Sequence, residues 1–223
     1  MIIATLICAI ACVALVAAEY ARANTARWIT KPIASLAFVA LGFATITGCT
    51  SPIPAWGEYQ LYIIVGLVLG MAGDIALLGK SQGAFLVGLT AFLLGHISYI
   101  VAFAQLAPPA AWLDLRALIP LVVGGTALRI LWPRLGEMRV PVIAYVIAIV
   151  MMMAAALAAG RVAAVPYDNR VLLVAGAALF FVSDLAVARD KFVGASFVNR
   201  AWGLPAYYAG QLLIAWSLWP SFC

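Results

Sequence analysis

The sequence predicts an all-α membrane protein, a polytopic bundle of about eight transmembrane helices. Three observations lead there. Apolar residues make up 67% of the 223-residue chain and charged residues 9%, against roughly 25% charged in a soluble domain. Mean hydropathy is +1.12, so lipid rather than water must be the solvent of most side chains. The apolar residues fall into eight stretches, each near the ~20 residues that span a bilayer.

The expected spans are 2–19, 32–49, 58–79, 83–105, 113–132, 140–160, 170–189 and 201–219. Proline-bearing turns separate several of them: Lys31-Pro32, Ser51-Pro52-Ile53-Pro54, Pro108-Pro109 and Trp132-Pro133. None resembles a domain linker, so residues 1–223 read as a single transmembrane domain. No basic residue stands before Glu19. A cleavable signal peptide needs a positive leading segment, so the first span is expected to be retained.

Orientation follows from the basic residues. The odd-numbered connections, with their helix ends, hold Arg22, Arg27, Lys31, Lys80, Arg129, Arg134, Arg139, Arg189, Lys191 and Arg200. The even ones hold only Arg116, Arg161 and Arg170. Both termini are therefore expected on the non-cytoplasmic side, with a bacterial inner membrane as the setting. The net charge of +5 then reads as topology signalling and attraction to anionic headgroups, not as nucleic-acid binding.

Four cysteines give no framework. Cys8 and Cys12 lie one turn apart inside the first span, as small core residues do. Cys49 and Cys223 fall at expected outer helix ends, where a disulfide between them is sterically open.

A 4+4 internal repeat is expected. Pro32 opens the second span and Pro141 the sixth; Asp74 follows 42 residues after the first and Asp184 43 after the second. Each Asp follows a small residue, Gly73 or Ser183. The next span then carries Gly95-His96 in one half and Gly210-Gln211 in the other. Such spacing fits two halves related by an axis along the membrane normal.

Asp74 and Asp184 are the strongest functional signals. A carboxylate inside a span costs roughly 2.5–3.5 kcal/mol on insertion scales. Each lies five residues before the expected inner end of its span, which places both roughly 8 Å below the cytoplasmic interface. The structural alternative is pairing with Lys80 or Arg189. Gly66, Gly70 and Gly73 leave one face of the third span bare for close packing. His96 is the sole histidine, and a lone His on an apolar helix often serves packing through a hydrogen bond. Without a second His, no metal site is expected, and no cofactor. Tyr99, Tyr207, Tyr208 and Gln211 add polar atoms at similar depths. Lys31, Lys80, Lys191, Asn199 and Arg200 could rim a phosphate site or simply anchor the topology. Spans 3, 4, 7 and 8 are expected to surround one polar cavity. P-loop, G-x-S-x-G, H-E-x-x-H and dinucleotide motifs are absent.

The run Gly73-Asp74, Phe85, Gly88, Phe92, Gly95-His96, Tyr99 resembles the central motif of the YhhN-like lysoplasmalogenases. So does Ser183-Asp184, Lys191-Phe192, Arg200, Tyr207-Tyr208, Gly210-Gln211 near the C-terminus, and Glu19-Tyr20 with Thr30-Lys31-Pro32 near the N-terminus. The resemblance implies eight spans and hydrolysis of the vinyl ether bond of a lysophospholipid, releasing a fatty aldehyde and a glycerophospho-base. It also implies Asp74 and Asp184 as the catalytic pair. Two other classes use intramembrane carboxylates. A proton-coupled carrier would need broken helices near them, and the internal prolines Pro120 and Pro205 lie far off in sequence. An intramembrane aspartyl protease would need Gly-x-Gly-Asp, whereas Met71-Ala72-Gly73 precedes Asp74. Oligomeric state, headgroup preference and the identity of the proton donor stay open at this level.

Overall fold

The computed structural model describes residues 1–47 and 57–218, and all its regular structure is helical. Eight α-helices run in order: α1 Ile2–Tyr20, α2 Asn24–Thr47, α3 Glu58–Ala76, α4 Gln82–Leu106, α5 Leu118–Leu131, α6 Arg139–Ala159, α7 Tyr167–Phe192 and α8 Phe197–Trp216. Seven helical segments are long and apolar enough to cross a membrane, and the chain is an integral membrane protein. The eighth helix, α8, is 20 residues long but carries Asn199, Arg200 and Gln211. Its polar residues lower its hydropathy, and they are tolerated because Asn199 and Gln211 are buried against protein rather than lipid.

Two expected boundaries move for physical reasons. The second span does not open at Pro32: α2 starts at Asn24 and carries Pro32 inside it. Proline removes one backbone donor, but neighbouring helices can hold such a helix together in a membrane. The fifth span is regular only over Leu118–Leu131, with short 3₁₀ turns at Pro109–Trp112 and Leu115–Ala117 before it. Cys49 and Cys223, with their suggested disulfide, lie outside the described residues. Cys8 and Cys12 are free and buried.

The long helices pack as α1 on α2, α3 on α4 and α7 on α8, with α4 and α6 joining the halves and α2 touching both α3 and α8. α5 packs chiefly on α6, which leaves most of its surface to lipid. Its exposed Ile119, Leu121 and Val122 suit that solvent.

The two halves answer each other at their glycines. Gly66 stands eight residues before Asp74, and Gly176 eight before Asp184. A Cβ on Gly95 would come within 3.4 Å of Gly66 O, and one on Gly210 within 2.9 Å of Gly176 O. Backbone thus meets backbone where α3 crosses α4 and where α7 crosses α8, as small residues permit in membrane packing. These matched crossings support the 4+4 repeat. They hold the two helices of each pair face to face.

Candidate functional site

Asp74 sits two residues from the end of α3, at Ala76, and Asp184 eight residues from the end of α7, at Phe192. The equal offset of five expected from the sequence does not hold, because α3 stops short of the Leu77–Gly79 turn while α7 runs beyond Arg189. Both carboxylates nevertheless line one cavity of about 490 Å³.

Asp74 is 2% exposed. Its Oδ1 stands 3.2 Å from Lys31 Nζ, and its Oδ2 accepts a 2.6 Å hydrogen bond from Ser35 Oγ. Lys31 and Ser35 are one turn apart on α2, which is why the helix must continue through Pro32. The Tyr207 hydroxyl from α8 approaches the same carboxylate without another aligned partner.

Asp184 is supported in a parallel way. Its Oδ2 accepts a 2.8 Å hydrogen bond from Tyr145 Oη on α6, and His96 Nε2 on α4 stands 3.3 Å from the same oxygen. Ser35 precedes Asp74 by 39 residues and Tyr145 precedes Asp184 by 39. Each Asp is therefore held by the helix at the same position in its own half. Each is also approached from the other half, by Tyr207 and His96 respectively. Pairing with Lys80 or Arg189, the structural alternative, is not found.

His96 is fully buried behind Asp184. Its Nδ1 lies 2.7 Å from Phe92 O. Its ring stacks on Phe180 at 4.5 Å and meets Tyr145 edge-on at 5.1 Å. The Phe92 ring in turn packs on Gly73, where a Cβ would come within 2.7 Å of it. One residue thus reaches from the backbone beside Asp74 to the imidazole beside Asp184.

The cavity has an apolar body and a charged end. Leu77, Phe85, Leu89, Leu131, Val142 and Val146 are among its walls. Its charged end is formed by the odd connections. There Glu19 meets Arg27 at 2.5 Å and Arg200 at 2.9 Å, and Arg200 also holds Asp190 at 3.1 Å. Arg200, grouped with the free rim by sequence, is therefore neutralised twice over. Lys191 lies over the Phe85 ring at 4.3 Å. Neither Lys191 nor Lys80 has a carboxylate partner among the described residues.

The chain matches the YhhN family over residues 26–218. It belongs to that family. Among its relatives within and around the YhhN group, it is 35% identical over 158 residues to the human protein named lysoplasmalogenase TMEM86A, a match covering 70% of this chain and 64% of that one. It is 30% identical over 167 residues to a Mycobacterium tuberculosis protein named lysoplasmalogenase, covering 71% of this chain and 60% of that protein. The protein named uncharacterized membrane protein YhhN from Escherichia coli O157:H7 is 27% identical over 205 residues, 91% of each chain. The matches thus span less than two thirds of the length of the relatives named lysoplasmalogenase. No solved structure matches the chain.

Of the residues singled out by sequence, the cavity wall includes Asp74, Asp184, Lys31, Lys80, Lys191, Asn199, Arg200 and Tyr207. Four lie behind it. His96 backs Asp184, Tyr99 donates a 2.6 Å hydrogen bond to Gln211 Oε1, and Tyr208 Oη is 3.5 Å from Lys31 O. Spans 3, 4, 7 and 8 do not enclose the cavity alone: α2, α5 and α6 supply Lys31, Gly124 and Tyr145 among others. Ser35, Tyr145 and Asp190 went unnoticed in the sequence. The 39-residue spacing common to both halves is the signal that would have found the first two. No group of three or more His, Cys, Asp or Glu residues suited to a metal occurs among the described residues.

The Lys31–Asp74 pair makes a stability prediction. Lys31→Met strands a buried carboxylate and should cost about 3–5 kcal/mol. Adding Asp74→Asn to that variant should recover most of the loss, read as thermal unfolding in detergent. Equal stability of Lys31→Met and wild type would mean that the pair is solvated.

Proposed function

We propose that this protein hydrolyses the vinyl ether bond of lysoplasmalogens, using Asp74 and Asp184 as a catalytic pair. The observation that carries this reading is two carboxylates, each braced by a buried donor, on one cavity with apolar walls and a cationic end. The names of the relatives agree with it.

The chemistry requires such a site. Hydrolysis begins when a proton is delivered to the alkenyl carbon β to the ether oxygen, which leaves an oxocarbenium ion. Water then adds to the α carbon, and the hemiacetal collapses to a fatty aldehyde and the glycerol hydroxyl. A carboxylic acid in a low-dielectric site can donate the first proton. An ionised carboxylate can steady the cation and orient the water. Glycosidases meet an oxocarbenium-like state with two carboxyl groups for the same reason.

The cavity matches the substrate's amphipathy. At about 490 Å³ it lies within the ~300–1,000 Å³ range of small-molecule sites. Its apolar walls suit the alkenyl chain. Lys80 and Lys191 suit the phosphate, because their charges are not taken up by carboxylates. We place the odd connections in the cytoplasm of a bacterial inner membrane, with both termini on the other side.

Purified protein in detergent, supplied with lysoplasmalogen, should release aldehyde. Asp74→Asn and Asp184→Asn should each lower kcat by at least ~10²-fold, measured on the folded fraction because Asp74→Asn leaves the buried Lys31 without its carboxylate partner. Substantial aldehyde release by either would refute the paired-carboxylate mechanism. A proton-coupled carrier would instead give no aldehyde from wild type and show uptake that the same substitutions abolish.

Lys80→Ala and Lys191→Ala should raise KM several-fold with little change in kcat, because phosphate contacts bind ground and transition states alike. Unchanged KM values in both would return the two lysines to plain topology anchors.

A further inference from the structure

The two carboxylates have different partners, and we infer that this divides the work between them: the Asp184–His96 pair supplies the proton to carbon, while Asp74 is the ionised member on the water side. The inference rests on the reaction proposed above and assigns its steps.

The argument for Asp184 comes from the tautomer of His96. A backbone carbonyl only accepts, so the 2.7 Å contact of Nδ1 with Phe92 O places a proton on Nδ1. Nε2 then faces Asp184 Oδ2 at 3.3 Å, off the line of a straight hydrogen bond and with no other partner among the described residues. A bare Nε2 against an ionised carboxylate would set lone pair against lone pair inside an apolar site. One proton between the two groups removes that conflict, carried on Nε2 or on the carboxyl. Tyr145 donates to the same Oδ2 and fixes that carboxyl in place. The Asp184 side chain keeps 13% of its surface exposed, while His96 is wholly enclosed. Asp184 is thus the member that meets substrate, and His96 is a positioning residue that holds the proton behind it.

Asp74 has the opposite surroundings. A buried ammonium, Lys31 Nζ, stands 3.2 Å from its Oδ1, and Ser35 Oγ lies 2.6 Å from its Oδ2, so Asp74 has a fixed positive charge beside it where Asp184 has an imidazole. Beside it stand two further buried polar atoms: Tyr207 Oη, which approaches the Asp74 carboxylate, and Gln211 Nε2, which has no partner among the described residues. They converge over Gly70, one turn before Asp74 on the same helix face. A Cβ there would lie 3.1 Å from Oη and 3.0 Å from Nε2. A carboxylate, a hydroxyl and an amide N–H around one spot can orient a water molecule for addition to the cation.

In the resulting sequence the Asp184–His96 proton forms a C–H bond at the β carbon as the π electrons move there, leaving the cation on the α carbon and ether oxygen. Water adds to the α carbon and gives its proton to Asp74. In the collapse of the hemiacetal its hydroxyl proton passes to the Asp184–His96 pair and the proton on Asp74 passes to the departing glycerol oxygen, which releases the aldehyde and restores both groups, one water having been consumed.

The two roles separate in D₂O. Deuteron delivery followed by loss of the original hydrogen leaves label at the β carbon of unreacted substrate; water addition carries it into aldehyde. Asp184→Asn should give neither aldehyde nor label. Asp74→Asn should lose aldehyde release by at least ~10²-fold while label accumulates in recovered substrate. Two milder variants cover the case of misfolding. Tyr145→Phe should lower both signals together and leave the label-to-aldehyde ratio unchanged. Ser35→Ala should raise that ratio on the order of tenfold. Label in the substrate from Asp184→Asn, or a ratio raised by Tyr145→Phe and not by Ser35→Ala, would overturn the division while leaving the reaction intact. A wild type that releases no aldehyde would overturn the reaction itself, and the division with it.

Discussion

Lys31 Nζ stands 3.2 Å from Asp74 Oδ1 with both residues buried, and much of the bundle is arranged to make that contact. A carboxylate in lipid must bring its own compensation. Here the compensation comes from α2, which has to stay helical through Pro32 so that Lys31 and Ser35 reach Asp74 together. It also requires α3 to lie flush on its neighbours, which its glycines allow. A buried pair of this kind contributes little net stability over an apolar packing.

The second carboxylate is held by a tyrosine and a histidine instead. Tyr145 takes the place of Ser35, 39 residues before its Asp in both halves, and no lysine reaches Asp184. The repeat therefore supplies two similar cradles, and side-chain differences give them different electrostatics. Because α4 serves Asp184 and α8 approaches Asp74, neither half completes a site without the other. That interdependence follows from the packing between the halves, of α4 on α6 and of α2 and α3 on α8.

The carboxylates were legible in the sequence because a charge inside an apolar run stands out against its neighbours. The helices were legible for the converse reason. Ser35 and Tyr145 were not, since a hydroxyl costs little in a membrane helix and its partner lies far along the chain. Pro32 misled because proline usually marks a boundary, and only tertiary packing lets a helix continue through it. Arg200 was read as a free cation; its partner Glu19 lies 181 residues away, a separation that no local pattern reveals. The polar character of α8 likewise becomes intelligible once Asn199 and Gln211 are seen to be buried inside the bundle.

The central claim is that Asp74 and Asp184 act on one substrate as one unit. A double-mutant cycle on aldehyde release tests it most directly. If the claim holds, Asp74→Asn with Asp184→Asn in one chain is little slower than the slower single variant, because groups that act together are not additive. If the two losses instead multiply to the product of the single effects, the carboxylates act independently and the shared site is contradicted.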